Sequence, residues 1–250
     1  MHNDIRCSVL LAAYCGEQYL PAQLDSILPQ LGDADELLLS DDSPPDCPAT
    51  RALAEAYAAR DARIRVLQGP RQGVIRNVEF LLGQARGQCI LLSDQDDVWL
   101  PGKLEALFDV LAEGALLAVH DAVLTDADLQ VQERSLFALR HVKPGALQNI
   151  LRNGYTGCCM ALRRELLPLA LPFPQGIPMH DQWLGLLAQC SGKVAWLPEP
   201  LLLHRRLASS LTARGGSFAQ KLRWRTTLLA ALARRLMKVK KNTNKKSSTE

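Results

Sequence analysis

The chain has 250 residues, of which 48% are hydrophobic and 22% charged, a composition typical of a globular protein with an ordinary core. Its net charge of +3 is unevenly spread: residues 1–213 carry 18 basic and 25 acidic residues, whereas residues 214–246 carry 11 basic residues and no acidic one. The seven cysteines include no C-x-x-C pair, which indicates reduced thiols rather than a disulfide framework or a zinc site. No apolar run of about 18 residues and no secretory apolar core occur, so neither a membrane span nor a signal segment is predicted.

Short apolar runs alternate with amphipathic stretches in the N-terminal half. Their lengths and periods predict strands over 8–13, 36–40, 64–67 and 89–92, and helices over 19–31, 50–60, 74–85 and 103–111. This alternation indicates βαβ units with right-handed connections and a mainly parallel sheet. In open sheets of this kind, ligands bind beyond the carboxyl ends of the strands.

The pattern is looser after residue 115. It predicts strands over 116–119, 157–162, 193–197 and 201–204, and a helix over 181–189. Four prolines between Pro168 and Pro178 break the intervening stretch into loops. The end of the chain, from Lys240 onward, is polar and is predicted to be disordered.

An acidic cluster, Ser93 to Asp97, follows the strand predicted over 89–92. Its three carboxylates, Asp94, Asp96 and Asp97, repel one another unless they are solvated or share a cation. Mg²⁺ and Mn²⁺ prefer such oxygen ligands and keep a substrate's phosphates as further ligands. The cluster is therefore either a solvated turn or a metal site, and its place at a strand's carboxyl end favours the metal site.

Two more polar clusters follow the first two predicted strands. Asp41 and Asp42 can accept hydrogen bonds from a base or a ribose, although Asp, Ser and Pro are also common turn residues. Between Ala13 and Glu17, small residues let a ligand approach the backbone, and Tyr14 can pack near a base. Neither the glycine-rich dinucleotide fingerprint nor a P-loop occurs in the sequence.

Two late clusters carry the remaining candidates. Asp181, at the start of a predicted helix, is either a general base or an N-cap. Arg205 and His204 follow an apolar strand, and a cation there can neutralise a diphosphate leaving group. His204 can also ligate a metal, but a lone histidine beside two arginines is more often structural.

In order and spacing, these clusters resemble family 2 glycosyltransferases, above all the bacterial rhamnosyltransferase-like branch. The resemblance covers residues 6–212. It is carried by VLLAAYCGE (9–17), ELLLSDDS (36–43), GVIRN (73–77), SDQDDVW (93–99), NGYTGCCM (153–160) and HDQWL (180–184). The most specific of these motifs is SDQDDVW, a form of the D-x-D motif of that family.

The resemblance implies an α/β protein of the GT-A (nucleotide-diphospho-sugar transferase) fold, with a central, mainly parallel sheet flanked by helices. The charge and hydropathy of the remaining residues add a C-terminal basic amphipathic helix. We therefore expect a catalytic domain over 1–213, the basic helix over 214–241 and a disordered tail over 242–250. Within the catalytic domain, residues 1–100 form the nucleotide-binding half and residues 101–213 the acceptor half.

The resemblance also implies a role for each matching residue in inverting sugar transfer. Asp181 is the catalytic base, Asp96 and Asp94 hold Mn²⁺ or Mg²⁺, and Arg205 and His204 face the departing diphosphate. The nucleotide is bound by Ala13, Tyr14, Glu17, Asp42, Asn77 and Asp94. The acceptor region contains Trp99, Gly157, His180 and Trp183.

The implied donor is dTDP-rhamnose or a UDP-sugar, and the implied acceptor is a cell-surface glycan or a lipid-linked glycan. One position departs from the family pattern. Leu207 stands where the family often has a histidine that assists the metal or the diphosphate. His204 or Arg206 compensates for it, or the metal site is weaker, or activity is lost.

The stretch from Phe218 to Val239 reads as a basic helix with one apolar side, formed by Phe218, Leu222, Leu229, Leu232, Leu236 and Val239. Such a helix lies on an anionic membrane, or it packs on the domain with a solvated charged face. No stacking platform accompanies the charge, so nucleic acid is not an expected partner. The expected location is cytoplasmic, at the inner face of the cytoplasmic membrane.

Two other functions compete with sugar transfer. A nucleotidyltransferase also places carboxylates and a metal on an α/β sheet, but it needs a basic glycine-rich loop, and residues 14–18 contain Glu17 and no Lys or Arg. A catalytically degenerate member of the same family, which binds a sugar nucleotide or a partner without turnover, is favoured by Leu207. The three aspartates Asp94, Asp96 and Asp181 favour an active enzyme.

Overall fold

A computed structural model describes residues 5–207 and 217–246, except for the side chains of Phe218 and of residues 239–246. The strands are β1 (Cys7–Ala13), β2 (Asp35–Asp41), β3 (Ile64–Gln68), β4 (Cys89–Asp94), β5 (Val98–Trp99), β6 (Leu117–Thr125), β7 (Val131–Glu133), β8 (Met160–Arg163) and β9 (Val194–Arg205). The helices are α1 (Leu20–Ile27), α2 (Ala49–Ala58), α3 (Val74–Gln84), α4 (Lys103–Ala112), α5 (Leu136–Arg140), α6 (Ala146–Leu151), α7 (Leu167–Ala170), α8 (His180–Ser191) and α9 (Phe218–Lys246).

These strands form one sheet in the order β3-β2-β1-β4-β8-β6-β9-β5, with β7 paired to β6. Strand β1 is parallel to β2 and β4, β2 is parallel to β3, and β6 is parallel to β9. Strand β8 is antiparallel to both β4 and β6, so those two strands point the same way. The predicted α/β class with a mainly parallel sheet is therefore confirmed.

The core lies along the first, second and fourth strands. Residues 9–11, 37–39 and 90–92 are almost completely buried. Continuous apolar runs are typical of parallel strands that are covered on both faces. Helix α3 packs on β1 and β2, and α4 packs on β6, β8 and β9, so the sheet is flanked by helices as predicted.

Strand β6 continues past the predicted end at Val119 to Thr125, and the buried carboxylate of Asp121 in this extension is hydrogen-bonded inside the protein. The carboxylate of Asp121 accepts hydrogen bonds from the backbone N–H groups of Ala122 (2.8 Å) and Phe137 (2.9 Å) and from the Ser135 hydroxyl. Each of these bonds offsets the cost of removing Asp121 from water.

The strands predicted over 193–197 and 201–204 are one continuous strand, β9. Pro198 and Pro200 interrupt the apolar pattern and carry no N–H group. The pairing with β6 shifts register between His120 and Asp121, opposite these prolines, and again between Asp121 and Val123, and it then continues to the end of β9. The strand predicted over 157–162 starts only at Met160, because residues 157–159 form a 3-10 turn.

Helix α9 buries Leu228, Ala231 and Leu232 and leaves Leu222 and Leu229 exposed. It extends to Lys246, so residues 242–246, which were predicted to be disordered, are helical in the structure. Some of the predictions concern residues outside the part of the chain that the structure describes. These are the boundary at 213/214, residues 247–250, and the side chains of Phe218, Val239, Lys240 and Lys241. None of the helices described here combines the length and the apolar character needed to cross a bilayer.

Gly87 allows a close backbone approach at the end of the sheet where β1 begins. Its N–H donates to the Ser8 hydroxyl (2.8 Å), which also accepts from the N–H of Arg86 (3.1 Å). A Cβ atom on Gly87 would lie 2.5 Å from the Ser8 nitrogen and 2.6 Å from the Cys7 carbonyl carbon. Both atoms belong to a buried backbone, which cannot give way as a flexible side chain can.

We expect Gly87→Ala to lower the free energy of unfolding by about 1–3 kcal/mol, because the new methyl group overpacks β1. Urea denaturation measures this change. The matched control is Gly83→Ala on the exposed side of α3, where no atom lies within 4 Å of the new Cβ. That substitution should raise the free energy of unfolding by up to about 1 kcal/mol, and equal effects at both positions would contradict the packing described.

Candidate active site

Polar side chains gather at the edge of the sheet where the parallel strands end. In the strand register, Ala13 at the end of β1 lies beside Asp41 of β2, and Ala12 lies beside Asp94 of β4. Arg205 ends β9, which runs parallel to these strands. The polar clusters that were predicted to follow β1, β2 and β4 thus lie on a single edge of the sheet, together with Arg205.

The residues predicted to bind a nucleotide also hold the surrounding loops. The Asp42 carboxylate accepts hydrogen bonds from the backbone N–H groups of Arg71 (2.5 Å) and Gly73 (3.1 Å), which fix the loop before α3. Asn77 is buried and is paired with Ser40 through two hydrogen bonds. The structure therefore places Asn77 behind the end of β2, where it supports the edge instead of facing it.

The loop after β1 is held by a residue that the sequence did not single out. The Gln95 side chain accepts from the N–H of Tyr14 (2.7 Å) and donates to its carbonyl (3.0 Å). It covers Gly16, where any Cβ would collide with it. Hydrogen bonds from its own N–H and from the Thr50 hydroxyl lower the pKa of Glu17, and the ring of Tyr14 is exposed beside it.

Asp94 and Asp96 are partly exposed at this edge. Desolvation and the charges of Asp97 and Asp96 raise the pKa of Asp94 to about 6. Desolvation and the charge of Asp97 raise the pKa of Asp96 to about 6 as well. Desolvation is the larger cause of both shifts, and the mutual repulsion of the carboxylates adds to it, so a cation bound here would be stabilising.

Asp97 points into the protein and is completely buried. Its Oδ1 accepts from His204 Nδ1 (2.8 Å) and from the N–H of Arg205 (3.2 Å), while its buried Oδ2 has no hydrogen-bond partner. Burial lowers the pKa of His204, but the charge and the hydrogen bond of Asp97 outweigh it and raise the pKa to about 9. Asp97 and His204 therefore form an ion pair near neutral pH.

A group of three potential metal ligands, Asp97, Cys158 and His204, lies directly beneath the edge, with ligand atoms within 4.8 Å of one another. The Cys158 sulfur is 3.7 Å from His204 Nδ1. A thiol is a poor ligand for a hard cation such as Mg²⁺ or Mn²⁺. The carboxylates of Asp94 and Asp96 are the better ligands for such a cation.

Arg205 is anchored to the acidic cluster by several contacts. Its guanidinium donates to the carbonyls of Asp96 (2.7 Å) and Ala127 (3.1 Å) and lies 5.0 Å from the centre of the Tyr19 ring. His204, one residue earlier, also reaches the cluster. The two residues predicted to face the diphosphate are thus brought to the predicted metal ligands.

Asp181 lies in the first turn of α8 and is buried. Its Oδ1 accepts from the Asn153 side chain (3.2 Å) and from the N–H of Gln182 (2.5 Å). Burial raises the pKa of Asp181, while His180, Gln182 and Asn153 lower it in part. No N-cap bond is made, because Asp181 is inside the helix and Met179 occupies the cap position.

His180 is close enough to both carboxylate sites to lower the pKa of Asp94 and that of Asp181. Gly157 makes room for it: a Cβ there would lie 2.8 Å from His180 Nε2. Asn153 belongs to the motif NGYTGCCM, which was identified in the sequence. Its hydrogen-bond partner, Asp181, could not be recognised from the sequence, because only the fold brings the two segments together.

The two tryptophans predicted for the acceptor region are buried in the core, which corrects that prediction. The Trp99 indole donates to Ser93 (3.3 Å), and its ring centre lies 4.4 Å from the ammonium of Lys103. Trp183 donates to the carbonyl of Ala170 (3.1 Å). Each indole N–H donates to an acceptor inside the protein, so neither N–H group requires a hydrogen bond to solvent.

The profile of the family described as "Glycosyl transferase family 2" matches residues 8–168. The chain belongs to this family. The prediction of a family 2 glycosyltransferase is thereby confirmed at the level of the family.

Among curated relatives, the chain is 25% identical to the UDP-Glc:alpha-D-GlcNAc-diphosphoundecaprenol beta-1,3-glucosyltransferase WfgD of Escherichia coli, over 74% of this chain and 71% of that enzyme. Among solved structures, S. aureus TarS 1-349 in complex with UDP-GlcNAc superposes with a TM-score of 0.68 at 16% identity, over 89% of this chain and 66% of that chain. The mannosyltransferase PcManGT from Pyrobaculum calidifontis, in complex with GDP-Man and Mn²⁺, gives 0.59 at 17% identity, over 93% and 74%. These likenesses show the GT-A fold.

We expect Asp97→Asn to lower the pKa of His204 in the metal-free protein, measured by NMR titration of the imidazole. Because the folded-state pKa of about 9 exceeds the ordinary value of 6.5, the ion pair stabilises the fold fully below pH 6.5. This stabilisation disappears as the pH rises towards 9. In Asp97→Asn, the corresponding slope of unfolding free energy against pH should vanish, whereas the exposed control Asp109→Asn should retain it.

Proposed function

We propose that the chain is an inverting glycosyltransferase. It moves a sugar from a nucleoside diphosphate donor to a hydroxyl of a cell-surface glycan or of a lipid-linked acceptor. The observation that carries this proposal is the presence of two separate carboxylate sites: the crowded Asp94–Asp96 cluster at the end of β4 and the buried Asp181 in the first turn of α8. A single displacement needs one site for the leaving diphosphate and one base for the acceptor, and these two sites match those needs.

The donor is a sugar attached to a nucleoside diphosphate. WfgD is named for UDP-Glc, and the two solved neighbours bind UDP-GlcNAc and GDP-Man. The edge formed by Ala13, Glu17 and Asp42 offers backbone groups and carboxylates that can bind the base and the ribose. Of the two donors that the sequence implied, dTDP-rhamnose and a UDP-sugar, the named relatives favour the UDP-sugar.

The residues present fit a divalent cation at the edge of the sheet. Asp94 and Asp96 provide hard oxygen ligands, and the repulsion that raises the pKa of each carboxylate would be relieved by such an ion. Mn²⁺ or Mg²⁺ held there would supply positive charge against the phosphate oxygens of the donor. The ion pair of Asp97 and His204 supports the loop that carries these ligands.

Asp181 acts as the general base. Its carboxylate takes the proton of the acceptor hydroxyl while the acceptor oxygen forms a bond to the anomeric carbon of the sugar. The bond from that carbon to the diphosphate oxygen breaks, its electron pair leaves with the diphosphate, and the configuration inverts. Burial raises the pKa of Asp181 and thus strengthens it as a base, while Asn153 keeps the carboxylate oriented.

His204 supports an active enzyme despite Leu207. It reaches the acidic cluster through Asp97, so a cationic side chain stands beside the metal ligands even though the usual histidine is replaced. Arg205 adds a second positive charge, which lowers the pKa of Asp96. The alternative, a degenerate member that binds a sugar nucleotide without turnover, would bind the donor but transfer nothing.

We also propose that α9 lies on an anionic membrane at the cytoplasmic face. The helix carries Arg223, Arg234 and Lys238 on one exposed side, and no acidic residue occurs between residues 217 and 246. Basic residues near anionic lipid each add about 1 kcal/mol of binding. A single apolar side was predicted for α9. In the structure its leucines are of two kinds: Leu232 packs on the domain, whereas Leu222 and Leu229 are exposed.

We expect Asp96→Asn to abolish metal-dependent binding of UDP and dTDP, with a loss of at least about tenfold in affinity. The substitution removes one anionic ligand of the cation. Calorimetry with Mn²⁺ and then with EDTA measures the effect. Asp128→Asn, an equal change of charge on an exposed turn, is the control and should bind like the unmodified protein.

We expect Asp181→Asn to leave donor affinity intact and to slow transfer of labelled sugar to the lipid fraction by about 10²–10⁴-fold. The amide cannot accept the acceptor's proton. Asn153→Ala should give a smaller loss of the same kind, because the base remains but is less well oriented. If Asp181→Asn and Asp96→Asn lost nucleotide binding equally, the two roles would be wrongly assigned.

A further inference from the structure

Four leucines from two helices form an exposed apolar patch. The exposed fractions of their side chains are 73% for Leu147 and 54% for Leu151 on α6, and 52% for Leu222 and 43% for Leu229 on α9. Leu147 and Leu151 are four residues apart and Leu222 and Leu229 are seven apart, which is one and two helical turns, so each pair lies on a single face of its helix. We call this group of four residues the leucine patch.

Arg225 joins the two halves of the leucine patch. Its guanidinium donates to the carbonyl of Leu151 (2.6 Å), which brings α9 against the end of α6. On α9, Arg225 lies three residues after Leu222 and four residues before Leu229, so both leucines flank it. The two leucine pairs therefore lie on neighbouring parts of the surface.

In the two segments that carry the leucine patch, every charged residue is basic. Residues 135–164 and 217–246 contain no Asp or Glu, and Lys143, Arg152, Lys221 and Arg223 are exposed there. A second copy of the chain would present the same cations to them in a two-fold contact, which is unfavourable. Apolar side chains among cations are instead complementary to a bilayer that contains anionic lipid.

The leucine patch also adjoins the proposed base. The Gln182 side chain donates to the carbonyl of Asn149 on α6 (2.8 Å), and Asn153, two residues after Leu151, donates to Asp181. A membrane on this surface would therefore lie beside the acceptor side of the site, where a lipid-linked sugar would enter.

We propose that the leucine patch inserts into the surface of an anionic bilayer, so that α6 is a second membrane contact beside α9. The inference extends the proposed membrane contact of α9 and its lipid-linked acceptor. The leucines enter the interface while the surrounding cations meet the lipid headgroups, each cation adding roughly fivefold to binding.

The test is sedimentation of the full chain with vesicles of phosphatidylglycerol and phosphatidylcholine, and with vesicles of phosphatidylcholine alone. Leu147→Ser with Leu151→Ser should lower the partition coefficient on the anionic vesicles by roughly tenfold or more, without any change of charge. Leu222→Ser with Leu229→Ser should act similarly. The control is Val131→Ser, which removes another exposed apolar side chain, on β7, and should have no effect.

Calorimetric binding of UDP or dTDP by each variant reports on the fold and on the donor site separately. Vesicle binding without nucleotide binding would refute the proposed donor site and leave the membrane contact standing. Unchanged vesicle binding by the α6 double variant would overturn the inference. So would a dimer of the unmodified chain, seen by analytical ultracentrifugation, that the α6 substitutions dissociate.

Discussion

The buried carboxylate of Asp97 is the constraint on which the rest of the site depends. A charge removed from water must be paired, and the groups that pair with the Asp97 carboxylate are distant from it in sequence. His204 and the backbone of Arg205, more than one hundred residues later, provide the pairing. This interaction holds the end of β9 against the turn that follows β4. The partly exposed Asp96 takes its position from that turn, and Asp94 ends β4 directly before it.

A second buried charge reinforces the same junction. Lys103, at the start of α4, is completely buried and donates to the carbonyl of Cys158 (2.7 Å) while its ammonium lies over Trp99. Burial lowers the pKa of Lys103, although neighbouring thiols and carboxylates act in the opposite direction. The contact fixes the turn before β8, and Gly157 in that turn leaves the space that His180 fills. The donor and acceptor sides are thereby positioned by one connected interior.

The proposed acceptor side differs from the proposed donor side in its physical character. The proposed donor edge is acidic and is built from the ends of parallel strands, whereas the surface around α6 and α9 is basic and carries exposed leucines. Arg235 adds to this division, because its guanidinium donates to the carbonyls of Leu169 and Leu171 and lies over the Trp183 ring. Helix α9 therefore belongs to the domain through one face and presents another to the exterior.

The sequence by itself determined the parallel βαβ half and the positions of Asp42, Asp94, Asp96 and Asp181, because strand periodicity and local acidic motifs are short-range signals. Only the tertiary structure decided which polar residues turn inward, as for Asn77, and which charges pair, since such partners lie far apart in the chain. It also placed both tryptophans in the core and divided the leucines of α9 between a packed and an exposed face. Helical periodicity identifies apolar positions, but which of them is covered depends on the elements that pack against the helix.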